Sequence, residues 1–187
     1  MAPSLISLRS LILVRHPPVA KAWAGRCYGQ SDMGLSRQGQ EMARALASEL
    51  AALRPDAVIH SDLRRTRALA LPLARRLGLA PLAMPLWRER HFGAWEGQTW
   101  NAIYRSTGNL MDGMVDDPQG FRPGGTGETT QELFDRVLEA LACAPRKGIV
   151  VIITHGGPIA CIRAAHAAQG LARIAELIPP PGSVTML

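Results

Sequence analysis

Short apolar runs alternate along this chain with longer amphipathic stretches. Three runs have the character of buried strands, namely residues 11–14 (LILV), 57–60 (AVIH, the weakest) and 150–153 (VVII). Between them, apolar residues recur every three or four positions, which is typical of helices of about 10–16 residues. Strands that alternate with such helices favour a mostly parallel sheet with helices on both faces. The pattern therefore predicts the α/β class, as a three-layer α/β/α sandwich.

Capping residues delimit four of the predicted helices. Ser36 is the expected N-cap of the first, Gly78 ends the second, and Thr129 and Glu132 have the spacing of a capping box before the third. The last helix is expected from about Pro158 to Ala168, with proline just inside its start. The apolar repeats that define the first three are Met42, Leu46, Leu50 and Leu53, then Leu69, Leu73 and Leu77, then Leu133, Val137 and Leu141.

The stretch from about 87 to 127 follows neither period. It is rich in Gly, Asp, Pro and Trp and is too long for a simple connection, and long irregular loops in compact domains are often functional. Trp87, Trp95 and Trp100 are expected to pack this loop, with one of them a candidate to touch a ligand. No linker or repeat divides the chain. We therefore expect one domain over residues 1–187, with a lid-like insertion at about 87–127.

Composition adds a preference for anions. The chain has 187 residues, of which 47% are hydrophobic and 19% charged, as in a globular domain large enough to bury a core. Its 21 Lys and Arg outnumber its 15 Asp and Glu, and all the basic residues except Lys21 and Lys147 are arginines. Arginine binds phosphate and carboxylate through two N–H groups at once. Because the arginines are scattered and aromatic residues are few, we expect a small anionic partner and no nucleic acid.

The cysteines and the N-terminal stretch bear on the compartment. Cys27, Cys143 and Cys161 are odd in number and lack CxxC spacing, which argues against a disulfide framework or a zinc ribbon and favours the cytoplasm. They are expected to be small apolar filler, although Cys27 beside Tyr28 could be exposed at a pocket. Arg9 interrupts the N-terminal apolar stretch and no cleavage site follows, so we expect no signal peptide. Apolar runs of about five residues are too short to span a membrane.

Chemically active side chains follow each predicted strand. Arg15 and His16 follow the first, the sequence SDLRRT (61–66) follows the second, and THGG (154–157) follows the third. Ligands of open α/β sheets lie beyond the carboxyl ends of the strands, so we expect these side chains on one rim. Together, the arginines and histidines of three strand ends indicate a functional site more strongly than any one of them does.

This set of side chains suits an anion better than a metal. A catalytic zinc site usually has three protein ligands, and the sequence offers no HxxxH or HxH spacing, so we expect no metal. A histidine can instead attack a phosphoryl group as a nucleophile, while arginines hold its oxygens. The helix expected after His155 adds N–H groups that favour phosphate.

Four motifs together resemble the histidine phosphatase superfamily, which has the phosphoglycerate mutase-like fold. They are LVRH (13–16), SDLRRT (61–66), ERHFGAWEG (89–97) and THGG (154–157), in the family's order along nearly the whole chain. The chain's size and the sequence GRCYGQSD (25–32) resemble the alpha-ribazole phosphatase-type branch. The resemblance implies a metal-independent phosphomonoester hydrolase without a cofactor, active as a monomer or homodimer. It would act through phosphohistidine on a small phosphorylated metabolite, with alpha-ribazole phosphate as a candidate.

The resemblance also assigns roles to single residues. His16 matches the nucleophile that becomes phosphohistidine, and Glu89 matches the proton donor to the leaving alcohol. Arg15 and Arg65 match phosphate ligands, and His155 matches the histidine that hydrogen-bonds the phosphoryl group. The mechanism needs a neutral His16, which burial and the neighbouring Arg15 favour. The expected substrate contacts are Arg15, Arg65, His155, Gly156, Tyr28 and Gly29.

Some positions depart from the family pattern or compete with it. Pro17 stands where glycine is usual and removes one backbone donor. Ala22 stands where asparagine is common, and Thr129 replaces serine in the Gly-Glu-Ser turn. Glu96 is a competing carboxylate near Glu89. Arg64 lies one position off its motif and is left out of the site, and two histidines are expected to be structural or exposed, His60 and His91.

Two alternative functions stay open at this point. A phosphoglycerate mutase must shield its phosphoenzyme from water, and in this short chain residues 101–126 would have to form the whole lid. A non-catalytic phosphate-binding module would keep the arginines without a working acid, which the presence of both His16 and Glu89 argues against.

Overall fold

The computed structural model describes residues 10–187 as a five-stranded sheet with helices on both faces. The N-terminal stretch considered above as a signal peptide lies outside the described residues. The strand order is β3-β2-β4-β1-β5, and β5 alone runs antiparallel to its neighbour. The strands are β1 (Ser10–Arg15), β2 (Ala57–His60), β3 (Leu82–Ala83), β4 (Ile149–Thr154) and β5 (Val184–Met186).

Three helices lie where their capping signals predict. Ser36 caps α1 by accepting a hydrogen bond from the Gly39 N–H, Gly78 ends α2 with a φ of 67°, and Thr129 and Glu132 form the capping box of α5. The helices are α1 (Arg37–Ala52), α2 (Arg64–Leu77), α3 (Trp100–Thr107), α4 (Gly113–Asp116), α5 (Thr130–Ala142) and α6 (Gly156–His166). Short 3-10 turns occupy Lys21–Trp23, Pro85–Trp87, Gly93–Trp95, Gly108–Asp112, Pro123–Gly125 and Leu171–Leu177.

Alternate residues of the central strands face two separate cores. In β1, Leu13 packs with α5 and α6, whereas Ile12 and Val14 pack with α1 and α2. Because successive strand residues point to opposite faces, a continuous apolar run serves both cores at once. The three-layer sandwich expected from the sequence is therefore present.

The register of the central strands sets the site. Arg15 at the end of β1 is paired with Thr154 at the end of β4, and His60 at the end of β2 is paired with Ile153. Three parallel strands thus finish at the same level, and the residues that follow them emerge on one rim of the sheet.

Three sequence expectations need correction. The last helix begins at Gly156 rather than about Pro158 and ends at His166. The stretch 87–127 is not irregular throughout, because it contains α3. The sheet also gains two short edge strands, the parallel β3 and the antiparallel β5, whose two and three residues are too few to show a period.

Candidate active site

The ends of β1 and β4 bring two histidines together. The His16 N–H donates to the Thr154 carbonyl at 3.0 Å, and the His16 and His155 rings lie with centroids 5.2 Å apart. Both side chains are buried. Arg65 from the first turn of α2 reaches the same point, because its Nε donates to Nδ1 of His155 at 3.2 Å. Three strand ends therefore converge on one cluster, as their order along the sheet requires.

His16 is held as a neutral imidazole with its outer nitrogen unprotonated. Its Nδ1 lies 2.8 Å from the Pro17 carbonyl oxygen, which can only accept a hydrogen bond. Nδ1 therefore carries the proton and Nε2 keeps a lone pair. Burial, followed by the nearby charge of Arg65, lowers the pKa of His16 to about 3. Proline at position 17 leaves this orienting contact intact, because the contact uses the carbonyl group.

His155 has the opposite tautomer. Since Arg65 donates to its Nδ1, the neutral ring must carry its proton on Nε2. Burial and the charge of Arg65 lower the pKa of His155 well below its usual value. Its Nε2 is buried and has no hydrogen-bond partner among residues 10–187. Buried donors are nearly always paired, so this N–H is available to an acceptor that enters the site.

The Arg15 side chain presents a second unpaired donor. Nη1 donates to the Pro179 carbonyl at 2.5 Å, whereas Nε is buried without a partner in the described part of the chain. A Cβ added at Gly156 would lie 3.1 Å from Cζ of Arg15, so a glycine at the start of α6 gives the guanidinium its space. Arg15 and His155 thus each offer a buried N–H group that has no partner in the described part of the chain.

Arg65 brings positive charge to the site and also holds the neighbouring turn in place. Its Nη2 donates to the Gly29 carbonyl at 2.6 Å, and its Nη1 donates to the Ser31 carbonyl at 2.7 Å and to the Met33 sulfur. With Nε bonded to His155, one N–H of Nη2 is left over from the five of a guanidinium. Cζ also lies 5.2 Å from the centre of the Tyr28 ring. The turn at residues 28–31 is therefore fixed to the histidine pair.

Glu89 is oriented by the N-terminus of α6. The Gly157 N–H lies 3.2 Å from both carboxylate oxygens, and the Arg90 N–H donates to Oε1 at 2.9 Å. A Cβ added at Gly157 would lie 2.3 Å from Oε1, so glycine is required for this approach. Glu89 lines the pocket together with Arg15, Tyr28 and Gly29.

Glu96, the competing carboxylate, is occupied elsewhere. Its oxygens accept hydrogen bonds from the Gln30 and Ser31 N–H groups at 3.0 Å, from the Ser31 hydroxyl at 2.8 Å and from the Phe92 N–H at 3.2 Å. It holds the turn that contains Gly29, where an added Cβ would lie 2.3 Å from Oε1 of Glu96. This geometry favours Glu89 over Glu96 as the acid.

The pocket has a volume of about 260 Å³, and its lining combines charged side chains, such as Arg15 and Glu89, with an apolar wall. His16, Arg65 and His155 are not among the lining residues. The Phe92 and Trp100 rings meet edge to face at 5.5 Å in this wall. Arg26 lies at the pocket as well and is tied to the Ala22 and Gly97 carbonyls at 3.0 and 2.8 Å. The apolar lining residues are Phe92, Trp100, Met114, Val115, Ile174, Ala175 and Ile178.

The sequence analysis did not assign some of these residues to the site. Arg90 is 5% exposed and its Nη1 is buried without a partner among residues 10–187, although it stands inside the ERHFG motif. The motif was a signal for Arg90, whereas nothing in the sequence marked residues 174–178 as pocket wall. Of the tryptophans, Trp100 lines the pocket while Trp87 and Trp95 are buried in packing.

Other expectations about single residues are settled by burial. Cys27 is fully buried rather than exposed at the pocket, and burial raises the pKa of its thiol. His60 is buried, whereas His91 and Arg64 are exposed. Ala22 is also exposed and does not line the pocket. Within residues 10–187 there is no group of three or more His, Cys, Asp or Glu side chains that could hold a metal ion.

Residues 11–187 match the model of the histidine phosphatase superfamily, branch 1. The chain belongs to this family. A metal-independent phosphoserine phosphatase from Arabidopsis thaliana is 31% identical over 157 residues, which cover 81% of this chain and 66% of that protein. A glucosyl-3-phosphoglycerate phosphatase from Mycolicibacterium vanbaalenii is 32% identical over 168 residues, which cover 84% and 74% of the two chains.

Further relatives extend the range of named activities. A probable phosphoglycerate mutase from Serratia proteamaculans is 33% identical over 153 residues, which cover 80% of this chain and 71% of that protein. The alpha-ribazole phosphatase structure from Shigella flexneri has a TM-score of 0.81 at 22% identity, covering 95% of this chain and 89% of the other, and shows the shared fold. Membership in the histidine phosphatase superfamily confirms the expected fold and the enzyme class, a phosphatase of the histidine phosphatase type.

None of the helices that the structure describes in residues 10–187 has the length and apolar character needed to cross a bilayer.

Proposed function

We propose that this histidine phosphatase hydrolyses the phosphomonoester of a small metabolite in two steps, through a phosphohistidine on His16. One observation carries the proposal. Two buried donors, Nε of Arg15 and Nε2 of His155, have no partner in the described chain and accompany an imidazole whose Nε2 is unprotonated. A phosphoryl group supplies the acceptors that these donors lack, and it supplies the electrophile for His16.

In the first step Nε2 of His16 attacks phosphorus. The N–P bond forms as the P–O bond to the leaving alcohol breaks, and Glu89 gives its proton to the leaving oxygen. Arg15, Arg65 and His155 bind the phosphoryl oxygens, where charge is concentrated during transfer. The step ends with the free alcohol, the phosphohistidine and an ionised Glu89.

In the second step Glu89 acts as the base. Its carboxylate takes a proton from water while the water oxygen attacks phosphorus, and the N–P bond breaks. Inorganic phosphate leaves, His16 is again neutral, and Glu89 is again protonated. The two N–H groups that hold the Glu89 carboxylate keep it near the pocket in both steps. Since arginines supply the positive charge, we expect neither a metal nor another cofactor to be needed.

The pocket wall favours a substrate with an apolar leaving group. Phe92, Trp100, Met114 and Ile178 line the same pocket as Arg15 and Glu89, whereas phosphoserine offers only a short polar remainder to such a wall. Alpha-ribazole phosphate, which carries an aromatic base, fits such a wall better. We therefore propose alpha-ribazole phosphate as the substrate to test first, with phosphoserine and 3-phosphoglycerate as its competitors.

Phosphoglycerate mutase activity is a second candidate because of the 33% identity to a probable phosphoglycerate mutase. Transfer of the phosphoryl group to a second substrate requires that water be kept out. The stretch 87–127, proposed here as a lid over the site, supplies Phe92, Trp100 and Met114 to the wall. A measured ratio of phosphate release to phosphoryl transfer distinguishes the two activities.

The cysteines bear on the cellular location of the protein. Cys27, Cys143 and Cys161 are free thiols, which supports the proposed cytoplasmic location. Monomer and homodimer both leave the proposed site within one chain.

The deciding experiment is phosphoenzyme trapping. Wild-type protein mixed with ³²P-labelled substrate in EDTA should yield an acid-labile phosphoenzyme, and His16→Ala should yield none and lose about 10³-fold or more in turnover. Dependence on added metal, or a labelled His16→Ala protein, would refute the mechanism. In steady-state assays of phosphate release, alpha-ribazole phosphate should show the highest kcat/KM of the three substrates. A higher value for phosphoserine would overturn the substrate assignment alone.

A further inference from the structure

Arg136 of α5 forms a dense set of contacts outside the pocket. Its Nε and Nη2 donate to the two carboxylate oxygens of Glu128 at 2.7 and 2.8 Å. Its Nη1 donates to the Leu86 and Arg88 carbonyls at 2.7 and 3.0 Å, and Nη2 lies 3.4 Å from the Glu89 carbonyl. The side chains of Arg136 and Glu128 are only 18% and 13% exposed. One guanidinium thus contacts three carbonyls of the segment that carries the proposed acid.

These contacts replace a strand partner. Residues 86–89 lie outside the strands, and the segment ends a 3-10 turn, so its carbonyls receive no ladder hydrogen bonds. The Trp87 carbonyl accepts from the Thr154 hydroxyl at 2.6 Å, and the Glu89 carbonyl also accepts from Nε2 of Gln30 at 3.2 Å. Side chains therefore fix the backbone at Glu89, and Arg136 supplies most of those bonds.

Glu128 orients the guanidinium and grips the same segment from its other end. The Glu128 N–H donates to the His91 carbonyl at 2.8 Å, and the His91 N–H lies 3.4 Å from the Glu128 carboxylate. Glu128 directly precedes Thr129, the N-cap of α5. The Glu128–Arg136 pair thereby ties residues 86–91 to α5. Glu128 belongs to the Gly127-Glu128-Thr129 turn and has no role in the chemical steps proposed above.

We propose that Arg136 is a positioning residue for the general acid: oriented by Glu128, it fixes the backbone of Glu89 so that the carboxyl group meets the leaving oxygen. The inference rests on the proposed role of Glu89. Among residues 10–187, the hydrogen bonds to the carboxylate itself come from two backbone N–H groups, so its place depends on the backbone. Lysine cannot substitute, because an ammonium group has three donors and no planar fork to match a carboxylate and three carbonyls.

The test uses the leaving group as its readout. Single-turnover formation of the phosphoenzyme is measured for Arg136→Lys and Arg136→Met on 2-phenylethyl phosphate and on p-nitrophenyl phosphate. An alkoxide needs the proton whereas a nitrophenolate barely does, so only the alkyl substrate depends on the acid. We expect the alkyl rate to fall about 10- to 100-fold and the aryl rate to stay within about 3-fold.

Arg122→Met is the matched control. The Arg122 guanidinium likewise pairs with both oxygens of a glutamate, Glu132 of α5, and likewise donates to a backbone carbonyl, that of Gly127 at 3.0 Å. In the described part of the chain, its hydrogen bonds go to Gly127 and Glu132 and none goes to residues 86–91. We expect Arg122→Met to leave the ratio of alkyl to aryl rates unchanged even if it lowers the melting temperature.

A second measurement separates positioning from folding. Arg136→Lys is placed in a Glu89→Gln background, where no acid is left to position. The alkyl-specific loss should then disappear, because the two substitutions remove the same contribution. If Arg136→Met does not fold, Arg136→Lys and Glu128→Gln provide the same readout. Equal slowing of both substrates, or a full loss in the Glu89→Gln background, would overturn the inference.

Failure of this inference differs from failure of the proposed function. If the Glu89→Gln protein itself lacks the leaving-group dependence, the acid assignment is wrong and the positioning role falls with it. If Glu89→Gln shows the dependence and the Arg136 variants do not, only the role of Arg136 is refuted.

Discussion

His16 and His155 lie 5.2 Å apart yet are suited to opposite tasks. The difference comes from the partner of each Nδ1 atom, which is an acceptor carbonyl for His16 and the donor Nε of Arg65 for His155. One ring therefore presents a lone pair and the other an N–H group. Burial, which lowers the pKa of both rings, keeps them neutral and preserves the distinction. At the scale of the residue, the hydrogen-bond partner of Nδ1 decides whether Nε2 of each histidine accepts or donates a hydrogen bond.

The same reasoning distinguishes the two carboxylates. Glu89→Gln should slow phosphoenzyme formation from an alkyl phosphate by about 10²–10⁴-fold, because the alkoxide loses its proton donor. The rate with p-nitrophenyl phosphate should fall much less. Single-turnover kinetics on both substrates measures the contrast.

Glu96→Gln is the comparison for that prediction. The Glu96 carboxylate accepts hydrogen bonds from Gln30, Ser31 and Phe92, so its loss should loosen the turn at Gly29 and affect both substrates alike. A leaving-group dependence in Glu96→Gln and none in Glu89→Gln would show that the proton donor is Glu96.

At the scale of the element, the first turn of α6 makes room for the chemistry. Gly156 leaves space for the Arg15 guanidinium, and Gly157 leaves space for the Glu89 carboxylate and donates to it. Two consecutive glycines weaken a helix, since glycine is about 1 kcal/mol less favourable than alanine in helices. The helix therefore gives up local stability where two charged groups approach its backbone.

Gly157→Ala should separate stability from activity. The added Cβ would lie 2.3 Å from Oε1 of Glu89, a side-chain atom that can swing away. We expect kcat/KM for an alkyl phosphate to fall about 10- to 100-fold while the melting temperature stays equal or rises. Gly170→Ala, where an added Cβ meets nothing within 4 Å, is the control. Unchanged activity in Gly157→Ala would mean that the position of the carboxylate does not matter.

The sequence predicts an element when that element's own residues carry an apolar period or a cap. The strands β1, β2 and β4 and the helices α1, α2 and α5 carry their own apolar periods and caps, so their positions were predicted. The edge strands β3 and β5 and the short helices α3 and α4 lack a long period, so they were missed. The residues after each strand were predicted to share a rim, whereas Ile174 and Ile178 reach the pocket only through tertiary packing.

At the scale of the whole molecule, three buried histidines link folding to pH. Burial is the main cause that lowers the pKa values of His16, His60 and His155 below 6.5. The unfolded chain therefore binds more protons than the folded chain just below pH 6.5, and acid favours unfolding. Lowered carboxyl pKa values, such as those of Asp62, Glu132 and Glu176, act in the same direction but mainly below about pH 5. The range from pH 5 to 6.5 thus reports the histidines.

We expect the contribution of these neutral histidines to the free energy of unfolding to be present above pH 6.5 and to decline as the pH falls below that value. For His16, with a folded pKa of about 3, the loss should approach about 1.4 kcal/mol per pH unit well below 6.5. Urea unfolding at pH 5.0, 5.5, 6.0 and 6.5 measures this slope, which is proportional to the number of protons taken up on unfolding. His16→Gln should reduce that number by close to one, even if it lowers stability at every pH. The exposed His166 provides the control, since His166→Gln should leave the slope as in the wild type. A slope in His16→Gln equal to that of the wild type would show that the unfolded and folded chains protonate this histidine alike, and that the neutral nucleophile is not maintained by the fold.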